Sequence, residues 1–417
     1  MMPLLGTRRN TWDSTRIAAL REERGWTQEE LAERSGLSVR TIRNLELGWV
    51  QNPRRSSVDL LADALGVEDE QPEAVPDRVQ WRGPQPPTST VVGHRAEHDR
   101  LVQTVRANRL TTLVGPGGVG KTRLALSIAA EVGPVFRHGV AVVELGDLPS
   151  ERCGSQTSAV RHRIRQQLGW DRIDERAANL LLVLDSAEHI PDSVTAVTRD
   201  LLGTCPGLQV LTTARRRLTE RLGVNREIRP LPVDAAPGEP LSQAPAVELV
   251  LRHVGADTWS AADLARELPL VVELCRRLGG LPRWLEFAAE RMRTIPVKLL
   301  LAHGPTMEML WTNDHALLPH QRSLADSLRW DMDLLGEDHR TLLRRLAVLP
   351  ARRFTVDDVV ADDSAMPVSN PLTLLSDLLE TSLIVADAGD RYRYRLAPYV
   401  GEVAQRLPPE VELPVGF

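Results

Sequence analysis

A glycine-rich segment carries the clearest chemistry in this sequence. Residues 115–122 read Gly-Pro-Gly-Gly-Val-Gly-Lys-Thr, which fits the phosphate-loop pattern G-x-x-x-x-G-K-[ST]. A strand pattern precedes the segment at 110–114 and a helical pattern follows it at 123–132. Glycines let backbone N–H groups face phosphate oxygens, while Lys121 can reach the β- and γ-phosphates and Thr122 can bind Mg²⁺. The segment predicts a site for ATP or ADP with Mg²⁺, formed by Gly115, Pro116, Gly117, Gly118, Val119, Gly120, Lys121, Thr122 and Arg123.

The use of lysine elsewhere in the chain supports this prediction. Lys121 and Lys298 are the only two lysines among 51 basic residues. Because the chain otherwise uses arginine, a lysine at the phosphate-facing position of the loop indicates a chemical requirement at that position.

An aspartate ends another apolar strand pattern, at 180–184. Asp185 is expected to hold Mg²⁺ together with Thr122, directly or through water. The next residue is Ser186 instead of a second acid that would activate water, which predicts slow hydrolysis. Glu188 is either a substitute for that acid or a structural carboxylate.

A cationic residue follows the strand pattern at 208–213. Arg215 would lie at the same edge of the sheet, beside the γ-phosphate, and is a candidate phosphate sensor. The alternative is that Arg215 is one more solvated arginine in the run 215–217. The predicted catalytic group is therefore Lys121, Asp185, Glu188 and Arg215.

The order of hydrophobic patterns predicts the fold class. Strand patterns at 110–114, 140–145, 180–184, 208–213 and 227–233 alternate with helical stretches, which is typical of a parallel sheet covered by helices on both faces. Helical patterns take over from about residue 244, and strand patterns at 382–386 and 391–396 predict a late hairpin. We expect a multidomain chain: an all-α bundle, an α/β P-loop NTPase core with a parallel sheet, and then a helical part.

The N-terminal bundle is predicted at 13–66, from four short amphipathic helical patterns. Thr27 and Glu30 form a T-x-x-E capping box, and Ser38 is a candidate N-cap. Residues 36–57 contain four arginines and one acid, whereas the following segment, 67–92, contains five prolines and five acids and is typical of a linker.

One helix of this bundle has a surface suited to DNA. When Ile42 faces the core, Arg40 can bind guanine, Asn44 adenine and Val39 a thymine methyl group. Gln28 and the two arginines at 54–55 are suited to phosphates. The predicted set of DNA-contacting residues is Gln28, Ser38, Val39, Arg40, Thr41, Arg43, Asn44, Arg54 and Arg55. The alternative is a helical bundle used for protein contacts.

Two resemblances extend these predictions. The segment TQEELAERSGLSVRTIRNLELG resembles the Cro/phage-repressor (XRE) helix-turn-helix. Residues 92–405 resemble the STAND, or NB-ARC-type, ATPase regulators, particularly the actinobacterial antibiotic-regulator-like branch. The segments that carry this resemblance are VGHRAEHDRL, TTLVGPGGVGKTRLAL, NLLLVLDSAEHI, QVLTTARRRL, LGGLPRWLEFAAERM, HQRSLADSLRWDMDLL and TLLRRLAVLPARRFT.

The STAND resemblance implies further site residues and domains. Val92 and the Pro282 of Gly280-Leu281-Pro282 are expected to contact the nucleotide, although the tripeptide could instead be an interhelical turn. A winged helix is expected to pack over bound ADP, without the usual Met-His-Asp latch. The predicted domains are an XRE domain at 13–66, a linker at 67–92, an NB-ARC-like core at 93–235, a helical module at 243–315 and a winged-helix-like domain at 316–407.

Composition limits the remaining function classes. A net charge of −5 provides no overall attraction to nucleic acid or membrane, so any DNA contact must be local. The three cysteines are widely spaced, which argues against a disulfide framework or a zinc site. No apolar run is long enough for a membrane span, so we expect a cytoplasmic protein without a membrane partner.

These patterns predict a transcriptional regulator that binds a double-stranded operator and is switched by ATP or ADP. We expect a slow ATPase that acts as a switch, with self-association in the active state. The alternative is a STAND signalling ATPase in stress or phage defence, whose N-terminal domain binds a protein. A motor or metabolic ATPase would need an efficient water-activating acid.

Overall fold

The computed structural model describes residues 14–47, 57, 60–61, 64–65, 80–87, 93, 95–169, 179–218, 223–255, 260–302, 309–315, 317–349, 352–361, 370–387 and 392–401. The chain divides into two compact units, residues 1–78 and 79–417. A search of the described helices finds none with the length and apolar character needed to span a membrane.

The N-terminal unit contains α1 (Ser14–Glu23), α2 (Gln28–Ser35) and α3 (Val39–Glu46), and residues 57, 60–61 and 64–65 are also helical. The predicted capping box at Thr27 and Glu30 is confirmed, because the Thr27 side chain accepts from the Glu30 N–H and the Glu30 carboxylate accepts from the Thr27 N–H. Ser38 caps α3, as predicted. A small core holds the helices together, formed by Ile17, Leu31, Ala32, Ile42, Leu45, Leu61 and Leu65.

The second unit is built on a six-stranded parallel sheet with the order β1-β3-β4-β5-β2-β6. Its strands are β1 (Trp81–Arg82), β2 (Leu110–Val114), β3 (Val140–Glu144), β4 (Leu180–Asp185), β5 (Leu208–Ala214) and β6 (Val224–Glu227). The helices that alternate with these strands along the chain are α4 (Arg95–Ala107), α5 (Lys121–Val132), α6 (Thr157–Leu168) and α7 (Pro191–Thr204). Short 3-10 turns lie at Gly133–Val135 and Glu151–Cys153.

Strand β4 shows why this sheet is buried on both faces. All six of its residues are buried, and successive side chains point to opposite faces of a strand. Leu181 and Val183 join a core cluster with α5, whereas Leu182 and Leu184 join a second cluster with α6 and α7. A continuous apolar run is therefore needed, as the sequence predicted.

The first four predicted strands of the sheet are confirmed, but the fifth is wrong in position. β6 ends at Glu227, where the predicted strand 227–233 begins. Pro230 and Pro232 have no backbone N–H to donate to a ladder. The chain instead leaves the sheet after Ile228 donates to the Val114 carbonyl, and Leu231 then donates to the carbonyl of Gly280.

The rest of this unit is mainly helical. It contains α8 (Pro245–Val254), α9 (Ala261–Arg277), α10 (Pro282–Met292), α11 (Val297–Ala302), α12 (Leu324–Leu334), α13 (Glu337–Ala347), α14 (Val356–Val360) and α15 (Pro371–Glu380), with 3-10 turns at Leu241–Gln243 and Pro319–Gln321. The predicted hairpin is present as β8 (Ile384–Ala386) and β9 (Arg393–Leu396), and a third antiparallel strand, β7 (Arg353–Thr355), pairs with β9. The winged-helix interpretation of this region remains a prediction.

One hydrophobic cluster connects these parts. It includes Leu113 of β2, Leu285 of α10 and Leu328 of α12. The apolar packing therefore holds α10 and α12 against the strand that leads into the phosphate loop.

Candidate functional sites

The glycine-rich loop lies between the end of β2 and the start of α5, as the phosphate-loop pattern requires. Gly118 and Gly120 have φ values of +79° and +100°, a region that side chains disfavour. The Lys121 ammonium group donates to the carbonyls of Gly115 at 2.7 Å and Pro116 at 2.9 Å. Burial lowers the pKa of Lys121 to about 8. A buried cation placed at the first turn of a helix favours an anionic partner.

The predicted metal ligands lie together. The Thr122 hydroxyl donates to Asp185 Oδ1 at 2.8 Å, and the Thr213 hydroxyl donates to the same oxygen at 2.6 Å. The Ser186 hydroxyl donates to the other carboxylate oxygen at 3.1 Å. Burial raises the pKa of Asp185, and these hydroxyl groups oppose that effect. A hydroxyl and a carboxylate at the phosphate loop are the oxygen ligands that Mg²⁺ uses.

Arg215 does not lie in solvent; it connects two distant parts of the chain. Its Nε donates to Glu188 at 3.3 Å, and its Nη1 donates to Asp331 of α12. Ser327 of α12 adds contacts at 3.4 Å through its carbonyl and its hydroxyl. The side chains of Arg215, Glu188 and Asp331 are only 6%, 7% and 11% exposed. The guanidinium is thus held between the edge of the sheet and α12.

The charges in this cluster stabilise one another. Burial would raise the pKa of Glu188, but Arg215 and Lys121 outweigh it and hold that pKa below its ordinary value. Burial would lower the pKa of Arg215, but Asp331 and Glu188 outweigh it and raise that pKa. Glu188 is therefore ionised, and in this arrangement its carboxylate is bound to a cation.

Aromatic and imidazole rings lie beside the charged cluster of Arg215, Glu188 and Asp331. His320 stacks on Trp330 of α12, with ring centres 4.4 Å apart and an angle of 13° between the rings. His189, which follows Glu188, meets the same indole edge-on at 5.6 Å. His320 is 8% exposed, and burial together with Arg215 lowers its pKa to about 4.

The loop glycines are packed from two directions. A Cβ atom on Gly117 would lie 2.7 Å from the Ser327 hydroxyl, and one on Gly118 would lie 3.0 Å from the indole of Trp284. Arg283 donates its backbone N–H to the Gly118 carbonyl at 3.1 Å. Helices α12 and α10 therefore both rest on the tip of the loop.

Part of this site lines one cavity of about 120 Å³, and the predicted metal ligand Asp185 is not among the lining residues. The predicted residues that line it are Gly117, Gly118, Gly120, Lys121, Thr122, Arg123, Glu188, Arg215 and Pro282. Val119 is buried below the loop, and Val92 lies outside the described residues. Buried cationic groups, loop glycines and the Thr122–Asp185 pair fit the phosphates and metal of a nucleotide.

Sequence reasoning assigned no role to several residues of this site. These are Arg283, Trp284, His320, Ser327, Trp330 and Asp331. Ser327 and Asp331 are four positions apart, so they share one face of α12 beside the apolar stripe of Leu324 and Leu328. That spacing was the available signal, but it does not identify Arg215 as the partner.

The predicted DNA-contacting residues of the N-terminal unit lie around α3. Arg40 and Arg43 are exposed, and Val39, Thr41 and Asn44 are half-buried. Ser38 caps α3 and shares a hydrogen bond of 2.8 Å with the Thr41 hydroxyl. Gln28 begins α2, whereas Arg54 and Arg55 lie outside the described residues.

The helix that carries these residues is anchored by a charged pair. Arg21 Nε of α1 donates to Glu46 of α3 at 2.7 Å, and Arg21 Nη1 donates to the carbonyl of Trp26 at 2.8 Å. The side chains of Arg21 and Glu46 are 13% and 6% exposed. The hydrogen bond from Arg21 to Glu46 raises the pKa of the guanidinium. The pair fixes the orientation of α3 relative to α1.

Sequence comparison identifies relatives of this chain. A helix-turn-helix family model matches residues 17–71. The uncharacterized protein Rv0894 of Mycobacterium tuberculosis is 32% identical over 333 residues, covering 75% of this chain and 81% of that protein. Rv0890c of the same organism, whose name proposes an HTH-type transcriptional regulator, is 32% identical over 71% of this chain and 33% of its own length. The regulatory protein AfsR of Streptomyces griseus is 29% identical over 68% of this chain and 28% of its own length.

Structure comparison identifies the fold of the second unit. The Walker-type ATPase PABY2304 of Pyrococcus abyssi has a TM-score of 0.51 and 15% identity, covering 78% of this chain and 98% of that protein. The predicted order of an XRE-type helix-turn-helix followed by a P-loop ATPase fold is thereby confirmed. The chain belongs to the same family as Rv0894, and it joins a helix-turn-helix domain to a P-loop ATPase fold.

Proposed function

We propose that this chain is a transcriptional regulator that binds a DNA operator through its helix-turn-helix and is switched by ATP or ADP in a STAND-type module. The matched helix-turn-helix model and the regulatory names of Rv0890c and AfsR support the DNA-binding part. The phosphate loop with Lys121 and the Thr122–Asp185 pair supports binding of a nucleotide with Mg²⁺.

The observation that carries the switch is the position of Arg215. Sequence analysis assigns this residue to the γ-phosphate, yet its Nη1 donates to Asp331 of α12. With Nε bound to Glu188 and Nη1 bound to Asp331, the guanidinium charge is already balanced by two carboxylates, so a terminal phosphate would have to compete with Asp331 for Arg215. Arg215 thus has two competing anionic partners, one on α12 and one in the nucleotide, and ATP and ADP would stabilise the two arrangements unequally.

The same contacts explain why hydrolysis would be slow. Bound Mg²⁺ would supply charge neutralisation at the phosphates. Ser186 replaces the acid that would activate water, and Glu188 is occupied by Arg215 at 3.3 Å. While Arg215 stays bound, this cation holds the pKa of Glu188 low and makes its carboxylate a weaker base. The site is therefore suited to holding a nucleotide state over time.

The output of the switch is pairing of DNA-binding domains. A single recognition helix contacts few base pairs, so tight binding needs two copies on half-sites about one helical turn apart. Release of α12 from Arg215 would favour self-association and thereby operator binding. A coupling of about 1 to 3 kcal/mol between nucleotide and operator is expected.

The test compares nucleotide states in the full chain. Molar mass and affinity for a duplex selected from a random pool are measured with ADP, with a slowly hydrolysed ATP analogue and without nucleotide. Lys121→Ala should weaken nucleotide binding by about 100-fold or more, because it removes the phosphate-facing cation, and should make mass and DNA affinity independent of nucleotide. Lys298→Ala, at the exposed second lysine on α11, is the matched control and should behave as wild type.

Two outcomes would reject parts of the proposal. Identical wild-type mass and DNA affinity in all three conditions would exclude the switch. Nucleotide binding without any enriched DNA sequence would favour the alternative, a STAND signalling ATPase whose N-terminal domain binds a protein.

A further inference from the structure

A chain of polar side chains in the N-terminal unit ends at the exposed surface of α3. Arg21 donates to Glu46 at 2.7 Å, and Gln28 Nε2 donates to Glu46 Oε2 at 2.8 Å. The Gln28 carbonyl oxygen in turn accepts from Arg43 Nε at 3.3 Å. The anchored pair of α1 and α3 is thus connected, through one amide, to an arginine on the surface predicted to face DNA.

The chemistry of the neighbours determines the orientation of this amide. A reversed amide would place its NH₂ group against the Arg43 N–H and its oxygen against the Glu46 carboxylate, so both contacts would be repulsive. The oxygen and one N–H of the Gln28 amide are therefore bound within the protein. The second N–H of the amide remains for the DNA phosphate contact that the sequence predicts.

The contact at Nε leaves the Nη1 and Nη2 groups of Arg43 available for a base. A guanidinium binds guanine O6 and N7 through a pair of N–H groups, and the Nη1 and Nη2 groups remain when Nε is occupied. Among the described residues, none is hydrogen-bonded to the side chain of Arg40, which lies one turn earlier on α3. Arg43 is therefore held in place before binding, whereas Arg40 must be ordered on DNA.

We propose that Gln28 is a positioning residue for Arg43, and that Arg43 is the principal guanine-reading arginine of α3. This inference rests on the proposed DNA-binding function. Ordering one long side chain on binding reduces affinity by about 3- to 10-fold, so loss of the Gln28 contact should reduce discrimination by that factor at a single base pair.

The experiment uses the full chain and a duplex selected by it from a random pool. Affinities for single base-pair variants of that duplex are measured for Arg43→Ala and Arg40→Ala, which identifies the base pair read by each arginine. Gln28→Ala and Gln28→Met, the second of which keeps the length of the side chain, should lower discrimination 3- to 10-fold at the base pair of Arg43 and leave that of Arg40 unchanged. Glu29→Ala, at an exposed neighbour on α2, is the matched control.

A double-variant cycle separates positioning from a general structural role. In the Arg43→Ala background, Gln28→Ala should cause no further loss of discrimination. Equal weakening of all sequences, including random DNA, would overturn the inference and return Gln28 to a phosphate-contacting or structural role. Failure of any sequence to be enriched from the pool would overturn the DNA-binding function itself, and this inference with it.

Discussion

Both units of the chain use an arginine bound to a carboxylate, but the surroundings differ. Burial is the largest single influence on the pKa of Arg215, and Asp331 and Glu188 together outweigh it. For Arg21, the hydrogen bond with Glu46 alone is the largest influence. The comparison teaches that the buried arginine at the edge of the sheet depends on its carboxylate partners, whereas Arg21 in the small helical unit also has the Trp26 carbonyl and Glu22 within reach.

Removal of Asp331 should give the largest effect. Asp331→Ala leaves the buried Arg215 with only Glu188 as an anionic partner, so we expect the free energy of unfolding to fall by about 3 to 5 kcal/mol. Denaturant unfolding of the full chain measures this loss. Asp333→Ala, at an exposed position of the same helix, should change stability by less than about 0.5 kcal/mol. A loss under about 1 kcal/mol for Asp331→Ala would mean that the buried Arg215 does not depend on Asp331 for its stability in the fold.

The second prediction tests whether burial also governs His320. Its pKa is about 4 against an ordinary value of 6.5, so between these values the unfolded chain binds a proton that the folded chain does not. The neutral, buried His320 therefore costs no stability above pH 6.5, and the free energy of unfolding decreases as the pH falls from 6.5 toward 4. Between pH 7 and pH 5 this amounts to about 2 kcal/mol.

His320→Phe keeps the stacking on Trp330 and should remove the part of the pH-dependent stability loss that comes from His320. Unfolding free energies at pH 7 and pH 5 are compared for this variant, for wild type and for His315→Phe at an exposed control position. His189, Glu188, Arg215 and Arg283 face His320, and they remain in all three proteins. An unchanged difference between the two pH values in His320→Phe would contradict the prediction.

The smallest effect is expected in the N-terminal unit. Glu46→Ala should lower the stability of this unit by about 1 kcal/mol, because Arg21 keeps the Trp26 carbonyl at 2.8 Å and has Glu22 at 3.4 Å. The measurement is the unfolding transition of the N-terminal unit within the full chain, with Glu33→Ala at an exposed site of α2 as control. A loss as large as that of Asp331→Ala would remove the distinction between the two pairs.

Sequence reasoning predicted the parts of the molecule that depend on local chemistry. The phosphate loop, four strands of the sheet, the hairpin and both caps of the N-terminal unit follow from glycine, alternation, apolar runs and capping residues. These signals act within a few residues, so a single sequence displays them.

Features that depend on contacts between distant segments were not predicted. Asp331 is 116 positions from Arg215, and Gln28 is 15 positions from Arg43. Arginine and carboxylate residues are abundant in this chain, so their types alone do not select a pair. The misplaced fifth strand has the same origin, because the carbonyl of Gly280 accepts the N–H of Leu231.

The packing of helices against the phosphate loop changes how substitutions in that loop should be interpreted. Gly117 has the hydroxyl of Ser327 at 2.7 Å from its ideal Cβ position, and Gly118 has the indole of Trp284 at 3.0 Å. A methyl group at position 117 would act as a wedge that forces α12 away, in addition to disturbing the phosphate cradle. In the proposed switch, such a change would release α12 and impair the nucleotide site at once, so one substitution would be both activating and inactivating.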